Sequence, residues 1–469
     1  MRPSSIARRF AFIIAATALP FGVSPLAAQG PSRAELVKRL DSIAAAPVKN
    51  HAVAGMAVAV VKGRDTLLYK GYGYSDLEND VRVTPATVFR IGSITKQFTS
   101  SAVMQLVEQG KVGLDDDATQ YLPNLETHGQ HILVRNLLNH TSGIPSYTDI
   151  GAPFANVSRL DLSHDSLYAL VANDSLMFAP GSHFYYNNTG YYLLGVLLER
   201  ITGKPYGEYL QEKLFAPNGL KATTYCSTDK LIPHRAQGYE KTETGFVNAD
   251  YIGMNLPFAA GSLCSTVGDL VAWTKKLSTG GIVNASSYHE MTTPMHLTSG
   301  RPMNYGFGLT VDSLGDHLMI SHGGGINGFI SYLLDVPGDS LIVAVLSNTA
   351  PAPSDAVAAS LARAVLGVPA PKRATPKEQP LSADERARYT GDYDQTMPDG
   401  RKRRVTISDE NGQLVLRVGS QPPARLSYQG NATFIVGTGG RLVFDVAGGR
   451  ATGFVMGGGA RTLEAVRVP

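Results

Sequence analysis

The sequence FRIGSITKQFTSSAVMQLVEQG, residues 89–110, joins a short loop to a long amphipathic segment. Its apolar residues recur at intervals of three and four, which is typical of a helix that buries one face. The pattern predicts a helix over 94–108, and Gly110 is the residue type that commonly ends one. The junction of loop and helix carries a serine and a lysine with catalytic potential.

Ser93 and Lys96 stand three positions apart at the start of this helix, so both side chains share one helix face. A serine hydroxyl is a poor nucleophile until a base takes its proton, and the lysine amine can reach it. The backbone N–H of Ser93 can also bind a developing oxyanion. The spacing alone recurs by chance, as STDK at 227–230 shows, but no helical pattern follows that second occurrence.

A second candidate motif lies in PGSHFYYNNTGY, residues 180–191. A tyrosine in a cationic pocket can lose its proton and act as a base, and an asparagine can bind a substrate amide. Both Tyr185 with Asn187 and Tyr186 with Asn188 have the same spacing, so the residues alone leave the pair open. A structural aromatic turn before a helix is the alternative interpretation.

The third candidate motif is His322 followed by three glycines, Gly323, Gly324 and Gly325. It comes just before a predicted strand at 329–334, and glycines there allow a substrate backbone to approach a strand edge closely. A glycine-rich hairpin with an incidental histidine is the alternative. The remaining histidines lack metal-ligand spacing, so we expect no metal and no other cofactor.

Strand patterns at both ends of the first 370 residues enclose the helical patterns. The predicted strands are 56–61, 66–69, 329–334 and 341–346, and the further predicted helices are 191–201, 270–277 and 356–366. Strands at both ends with helices between them predict one sheet built from the two chain ends and covered by helices. The fold class is therefore α/β (α+β).

The composition changes after residue 366. Residues 367–380 contain four prolines and several charges, which is typical of a linker. Beyond them short alternating segments follow one another, with an Asn411-Gly412 turn between two of them. Such spacing predicts a small antiparallel β barrel or sandwich.

The first 28 residues have the features of an export signal. They contain Arg2, Arg8 and Arg9 and no acid, then an apolar run at 10–23 and small residues up to Ala28. This order predicts a secretory signal peptide that is cleaved near Ala28, so we expect a periplasmic or secreted protein. The run is too short and interrupted for a strong membrane span, and no later segment is a convincing one.

The net charge of +3 belongs entirely to that signal, since the rest of the chain has 39 basic and 39 acidic residues. The charge therefore gives no reason to expect a nucleic-acid partner. Cys226 and Cys264 are the only two cysteines, too few for a disulfide scaffold or a four-thiolate metal site. They could pair outside the cytoplasm, but the sequence does not decide between a disulfide and two buried thiols.

Residues 50–350 resemble the serine β-lactamase and penicillin-binding-protein superfamily, in its class C β-lactamase, D-alanyl-D-alanine carboxypeptidase and esterase branch. The three motifs occur in the order of that branch, with Tyr-x-Asn in the middle and His-x-Gly third. Four further stretches resemble the same branch: LLNHTSG at 137–143, APNGL at 216–220, STVGDL at 265–270 and YGFG at 305–308. The branch pattern also selects Tyr186 and Asn188, and leaves Tyr185 as a packing residue.

The resemblance implies a β-lactamase/transpeptidase-like fold with a helical subdomain, and acyl transfer through a serine ester. Ser93 attacks a carbonyl, while Lys96 and Tyr186 move the proton to the leaving group. The implied oxyanion hole consists of the backbone N–H groups of Ser93 and Gly325. Asn188 holds the acyl side chain, and His322 polarises Tyr186 or meets a substrate carboxylate. Gly324 completes the substrate-binding edge.

Two departures from the branch bear on the substrate. Class C β-lactamases usually carry lysine at the position of His322, whereas a histidine with an ordinary pKa is mostly neutral at pH 7. Gly323 also lacks a hydroxyl that is often present there. Both changes favour a carboxypeptidase, amidase or esterase over an efficient β-lactamase.

The expected organisation is a signal at 1–28, a serine hydrolase domain at 31–368, a linker at 369–379 and a lipocalin-like β domain at 380–469. The expected partner is a small-molecule or peptide substrate, and the sequence leaves the oligomeric state open. The alternative function is a non-catalytic penicillin- or peptide-binding or envelope-interaction protein that keeps the fold. The presence of Ser93, Lys96 and Tyr186 together favours the enzyme.

Overall fold

The computed structural model of the protein describes residues 32–150, 152–370, 378–396, 402–418, 423–436, 440–457 and 462–468. The predicted export signal at 1–28 and most of the predicted linker, 371–377, lie outside these residues. The domain boundaries at 368 and 380 stay predictions. None of the helices in the described ranges is long and apolar enough to cross a membrane.

Runs of strands and runs of helices follow one another up to residue 366, and strands dominate after it. The helices are α1 (Arg33–Lys49), α2 (Thr95–Glu108), α3 (Val134–Leu138), α4 (Ala152–Val157), α5 (His164–Tyr168), α6 (Asn188–Thr202), α7 (Tyr206–Leu210), α8 (Phe258–Gly261), α9 (Val267–Ser278), α10 (Ala285–Thr292), α11 (Ser354–Leu366) and α12 (Ala383–Ala387). The strands before residue 370 are β1 (Gly55–Lys62), β2 (Asp65–Asp76), β3 (Val81–Arg82), β4 (Phe89–Arg90), β5 (Thr224–Tyr225), β6 (Tyr239–Thr242), β7 (Gly245–Asn248), β8 (Leu263–Ser265), β9 (Thr310–Leu314), β10 (His317–Ile326), β11 (Phe329–Val336), β12 (Leu341–Ser347) and β13 (Thr349–Ala350).

The main sheet has seven strands in the order β3-β2-β1-β12-β11-β10-β9, and all of its pairs are antiparallel. Strand β1, from the start of the domain, pairs with β12, from its end, with Met56 opposite Ser347 and Lys62 opposite Leu341. The prediction of one sheet built from both ends of the segment and covered by helices is therefore confirmed, as is the fold class.

Both faces of this sheet are buried, which explains why β1 is a continuous apolar run. Ala57 and Ala59 belong to the large core that includes residues of α2, α6 and α9. Val58 and Val60 point the other way, into a second core with residues of α1 and α11. Successive side chains of a strand face opposite sides of the sheet, so a strand covered on both faces shows no polar alternation.

A small three-stranded sheet, β4-β8-β5, contributes Phe89, Leu263 and Cys264 to the main core, and its strand β4 comes just before α2 in the chain. Arg90 of β4 pairs with Cys264 of β8, and Thr224 of β5 pairs with the same cysteine from the other side. Cys226 and Cys264 form a disulfide with a Cα–Cα distance of 5.1 Å, which answers the question that the sequence leaves open. Both cysteines are fully buried.

The C-terminal strands form a closed antiparallel barrel. They are β14 (Gly391–Thr396), β15 (Lys402–Glu410), β16 (Gln413–Val418), β17 (Ala424–Gly430), β18 (Thr433–Val436), β19 (Gly440–Ala447), β20 (Arg450–Gly457) and β21 (Thr462–Arg467). The prediction of a small β domain is confirmed. Aromatic side chains fill its core, including Tyr393, Phe434 and Phe454, as expected for an eight-stranded barrel of this size.

Candidate active site

Ser93 lies in a single helical turn, Gly92–Ile94, that leads directly into α2. The turn is held against the main sheet, because the hydroxyl of Ser331 on β11 donates a 2.8 Å hydrogen bond to the carbonyl of Ile91. Gly92 has a φ of +50°, and a Cβ there would lie 2.8 Å from the nitrogen of Gly325. Only glycine allows this approach of loop to strand, so Gly92 brings Ser93 close to the third motif.

Lys96 is fully buried, and its amine has three polar neighbours. The Nζ atom lies 3.1 Å from Ser93 Oγ, 2.8 Å from Asn188 Oδ1 and 2.9 Å from the carbonyl oxygen of Ala260. Burial away from water lowers the pKa of Lys96 well below its ordinary value. Among the described residues the hydrogen-bond partners of this amine are a hydroxyl, an amide oxygen and a backbone carbonyl, so none of them carries a negative charge that would offset the burial.

The arrangement suits an uncharged lysine. A neutral amine has two N–H donors and one lone pair, and Asn188 Oδ1 and Ala260 O accept from the two donors. The lone pair is then left for the hydroxyl of Ser93, which can donate its proton to it across 3.1 Å. The geometry and the lowered pKa therefore agree on a base that can activate the serine.

Asn188 is the first residue of α6 and connects that helix to α2. Its Nδ2 donates to Thr148 Oγ1 at 3.1 Å, which fixes the amide so that Oδ1 faces Lys96. Asn187 caps the helix, since its side chain accepts from the N–H of Gly190 at 2.8 Å. The predicted helix at 191–201 thus begins three residues earlier, and the structure brings the second motif onto its first turn.

Tyr186 presents its ring to the lysine. Lys96 Nζ lies 4.7 Å from the centre of that ring, and the ring of His140 lies 4.4 Å away on a tilted plane. Tyr185, the competing tyrosine, points elsewhere and donates a hydrogen bond of 2.7 Å to Asp149. The structure therefore brings Tyr186, and not Tyr185, into contact with the amine of Lys96.

His322 and its glycines lie inside strand β10, rather than in a loop before the next strand. The histidine is buried, and burial away from water is the main cause that lowers its pKa to about 4. Its Nε2 lies 2.9 Å from the hydroxyl of Tyr305, and its Nδ1 lies 2.6 Å from the carbonyl of Gly323. Both ring nitrogens therefore have partners within the protein. The centre of the His322 ring lies 6.0 Å from the centre of the Tyr186 ring.

A hydrogen-bonded chain runs beneath Tyr186. His140 Nδ1 accepts from the backbone N–H of Asn187 at 3.0 Å, so its Nε2 carries the proton and donates to Tyr305 at 3.2 Å. Tyr305 then donates to Nε2 of His322, whose protonated Nδ1 faces Gly323 O. Burial also lowers the pKa of His140, so this assignment needs only neutral histidines.

The backbone N–H of Gly325 faces the Ser93 loop. A two-residue turn after Ile326 makes Ile326 and Phe329 a hydrogen-bonded pair of β10 and β11. Because hydrogen-bonded and non-hydrogen-bonded pairs alternate, the N–H of Gly325 turns away from β11. Gly92 approaches Gly325 on that outer side of β10. Ser93 and Gly325 both line the same cavity, and their N–H groups stay the predicted oxyanion hole.

A cavity of about 140 Å³ opens at Ser93. Apolar side chains form much of its wall, including Tyr147, Phe154 and Leu256, and the polar atoms come from Asn188, Thr148 and Asn327. None of the described residues that line it carries a positive charge. No group of three potential metal ligands is found among the described residues.

Comparison with known proteins agrees with the arrangement of residues around Ser93. A family model described as Beta-lactamase matches residues 40–367, well over half of the chain. The chain belongs to the beta-lactamase family. The match covers all the residues that surround Ser93 and ends before the C-terminal barrel.

Three relatives illustrate what this family member is similar to. A D-aminopeptidase of Gluconobacter oxydans is 31% identical over 72% of this chain, and the match covers 64% of that enzyme, less than two thirds of its length. An octameric penicillin-binding protein homologue from Pyrococcus abyssi is 25% identical, with a TM-score of 0.64, and covers 92% of this chain and 99% of its own. A D-amino acid amidase from Ochrobactrum anthropi SV3, complexed with L-phenylalanine amide, is 26% identical, with a TM-score of 0.63, and covers 71% of this chain and 99% of its own. Two of these relatives, the D-aminopeptidase and the D-amino acid amidase, are named as enzymes that cleave amide bonds, which supports amide hydrolysis as the chemistry of the family.

The structure brings together all seven predicted site residues, while the role of each stays a prediction. It also adds residues that we did not predict as part of the site: His140, Tyr305, Thr148 and the carbonyl of Ala260. His140 and Tyr305 lie in the stretches 137–143 and 305–308 that resemble the family. The sequence therefore indicated these stretches but gave no role for the two residues. A backbone carbonyl leaves no such signal in a sequence.

Proposed function

We propose that this protein is an exported serine hydrolase that cleaves amides of D-amino acids through a covalent ester on Ser93. The observation that carries this proposal is the buried amine of Lys96, 3.1 Å from the Ser93 hydroxyl with its two other positions occupied by acceptors. A general base must be unprotonated to accept the proton of the serine, and the lowered pKa of Lys96 meets this requirement.

The reaction begins when Ser93 Oγ attacks the substrate carbonyl and its proton passes to the lone pair of Lys96. The oxygen of the carbonyl takes the negative charge and accepts hydrogen bonds from the N–H groups of Ser93 and Gly325. Collapse of this intermediate breaks the C–N bond, and the proton on Lys96 passes to the leaving amine, with the hydroxyl of Tyr186 in the path. A water molecule then attacks the ester by the same proton route and releases the acid and free Ser93.

The positioning residues act through their hydrogen bonds. Asn188 and Ala260 O hold the amine of Lys96 in one orientation, so its lone pair stays directed at Ser93. The chain of His140, Tyr305 and His322 supports the ring of Tyr186 from below. In this proposal His322 has a supporting role, because both of its nitrogens already have partners.

The cavity favours a substrate without a free carboxylate. Its described lining has no lysine or arginine, and burial keeps His322 neutral at pH 7. A D-Ala-D-Ala peptide and a penicillin both carry a carboxylate that such a lining leaves without an ion-pair partner. The names of two relatives, D-aminopeptidase and D-amino acid amidase, support an amide of a D-amino acid instead.

Export is the second part of the proposal. The basic and apolar start of the chain supports it, and the disulfide between Cys226 and Cys264 is of a kind that forms outside the reducing cytoplasm. Expression with residues 1–28 intact, followed by fractionation and mass spectrometry of the N-terminus, tests it. A mature chain that starts after Ala28 in the periplasm or medium is expected, and an intact start in the cytoplasm would contradict it.

The hydrolase proposal is tested with the purified protein and its Ser93→Ala variant. We expect a fluorophosphonate probe to label the wild type but not the variant, and the p-nitroanilide of D-alanine to be cleaved at least tenfold faster than that of L-alanine. Labelling by a fluorescent penicillin is expected to be slower than by the fluorophosphonate. Equal behaviour of wild type and variant in every assay would instead support the non-catalytic binding protein.

A further inference from the structure

Asn327 lies in the two-residue turn between β10 and β11, and it lines the cavity that opens at Ser93. It follows Gly325, whose N–H belongs to the predicted oxyanion hole, by two positions. The side chain is partly exposed, so a ligand in the cavity has access to it. Asn327 comes just after the third motif and is not one of the predicted site residues.

The amide of Asn327 is held in one orientation. Its Nδ2 donates a 3.0 Å hydrogen bond to the backbone carbonyl of Asp250, and a carbonyl can only accept, so the two ends of the amide are not interchangeable. Asp250 is not among the residues that line the cavity. The donor end is therefore occupied outside the cavity, and Oδ1 is the atom of this amide that is left for a ligand.

The turn that carries Asn327 is packed closely against the rest of the domain. Gly328 has a φ of +75°, and a Cβ there would lie 2.7 Å from the Cβ of Ala249 and 2.7 Å from the Cα of Gly238. Phe329, directly after the turn, is buried. With the turn packed in this way and the amide hydrogen-bonded, Oδ1 is a preformed acceptor whose position costs a ligand little ordering.

The other polar side chains of the described lining have partners inside the protein. Asn188 Oδ1 accepts from Lys96, and its Nδ2 donates to Thr148 Oγ1. The hydroxyl of Tyr147 donates to a backbone carbonyl at 2.7 Å. Apart from the nucleophile, Asn327 Oδ1 is therefore the side-chain oxygen of this lining for which the described residues supply no hydrogen-bond partner.

We propose that Asn327 is a specificity-determining residue, and that its Oδ1 accepts a hydrogen bond from the α-amino group of the substrate. This inference rests on the proposed hydrolase function, because it assigns the acyl half of that substrate to the cavity at Ser93. The described lining contains no carboxylate, so the amino group meets a neutral oxygen. A substrate without an N–H at this position leaves Oδ1 without a partner and is therefore disfavoured.

The same contact discriminates between enantiomers. Ser93 and the oxyanion hole fix the carbonyl group, and Asn327 fixes the amino group. The side chain of the substrate then lies against the partly exposed apolar residues of the lining, Phe154, Pro257 and Ile326. Three fixed groups around one α-carbon accept one hand, so Asn327 contributes to the selection of D-amino acids.

Three p-nitroanilides measure this contact: those of D-leucine, of L-leucine and of 4-methylpentanoic acid, which is leucine without its α-amino group. In the wild type we expect kcat/KM to be at least tenfold higher for the D-leucine compound than for either of the others. Asn327→Ala is expected to reduce both ratios at least fivefold. Asn248→Ala is the matched control and is expected to keep them, because Asn248 is exposed and its amide donates to Glu78 outside the cavity.

Two kinetic results would overturn the proposal. Unchanged ratios in Asn327→Ala would show that Oδ1 makes no contact with the amino group. Equal losses of kcat/KM for all three compounds would show that Asn327 only supports the turn. Thermal unfolding reports whether the variant is folded, and Asn327→Gly, which suits a turn, carries the test if Asn327→Ala is not.

Calorimetry with the Ser93→Ala variant separates this inference from the proposed function, since it needs no turnover. D-Leucinamide is expected to bind at least tenfold more tightly than 4-methylpentanamide, and the difference is expected to disappear in the double variant Ser93→Ala, Asn327→Ala. Turnover without such a difference would refute the role of Asn327 and leave the hydrolase in place. A difference in binding without turnover by the wild type would refute the hydrolase and leave the amine contact in place.

Discussion

Lys96 Nζ donates a 2.8 Å hydrogen bond to Oδ1 of Asn188, and this contact joins the start of α2 to the start of α6. The two residues are 92 positions apart. The amide oxygen is a neutral acceptor, so it orients the amine without stabilising its charged form as strongly as a carboxylate does. Asn188 therefore holds the lysine and still permits it to be uncharged.

Asn188→Asp tests this distinction. A carboxylate beside the buried amine raises the pKa of Lys96 and keeps the amine protonated to higher pH. The acylation rate of Ser93 is then expected to fall roughly 10- to 1000-fold at pH 7 and to recover as the pH rises. Stopped-flow labelling between pH 6 and 10 measures it. Asn188→Ala is the control, and we expect it to lower the acylation rate without shifting the pH–rate profile to higher pH. Superimposable pH–rate profiles for Asn188→Asp and wild type would refute the argument.

Lys96 is tested by two substitutions that separate its basicity from its charge. Lys96→Arg keeps a cation that cannot lose its proton, and Lys96→Met keeps an unbranched side chain without one. If the amine acts as a base, both variants lose roughly 100- to 10,000-fold in the acylation rate. Retention of more than a tenth of the rate by the arginine variant would show that a positive charge is enough. Circular dichroism and thermal unfolding confirm that each variant is folded.

Most of the fold was predictable because it depends on patterns that a sequence carries locally. The helix at 94–108 is observed at Thr95–Glu108, and the strand at 341–346 at Leu341–Ser347. The strands that escaped prediction have weaker patterns. Gly391–Thr396 is largely polar, and His317–Ile326 contains three consecutive glycines, which have a low preference for strands. Pairing with β11 keeps the latter segment extended.

The candidate site was predictable only in part, for a related reason. Motif order brought out Ser93, Lys96, Tyr186, Asn188 and the residues at 322–325, because each motif has a recognisable local form. The support beneath them depends on packing between distant segments. His140 and Tyr305 are 165 positions apart and meet only in the folded chain.

The disulfide is predicted to stabilise the protein without taking part in catalysis. It closes a segment of 38 residues, and the chain-entropy estimate for such a loop is about 4 kcal/mol. The double variant Cys226→Ala, Cys264→Ala is therefore expected to lose roughly 2–4 kcal/mol in the free energy of unfolding. Urea unfolding measures this loss, and fluorophosphonate labelling of the folded fraction is expected to remain within twofold. A loss of labelling in a variant that is still folded would show that β8 positions the Ser93 loop.

The pH dependence of stability contains two opposing contributions in one range. Burial lowers the pKa of His322 to about 4, below the ordinary 6.5. The folded state then binds fewer protons than the unfolded one, so this group destabilises as the pH falls from 6.5 to 4. Burial raises the pKa of Asp335 from 3.8 to about 7. Here the folded state binds more protons, so this group destabilises as the pH rises from 4 to 7.

Two variants separate these contributions in urea unfolding between pH 4 and 8. Relative to wild type, Asp335→Asn is expected to gain up to about 4 kcal/mol in the free energy of unfolding as the pH rises from 4 to 7, because one pKa unit corresponds to about 1.4 kcal/mol. His322→Gln is expected to show the opposite trend, a relative loss of up to about 3 kcal/mol from pH 4 to 6.5. Other titrating groups are common to all three proteins and cancel in the differences. The differences in the free energy of unfolding between each variant and wild type are therefore expected to change with pH. Flat difference curves, or reversed slopes, would contradict a neutral His322 and a protonated Asp335 in the folded protein at mildly acidic pH.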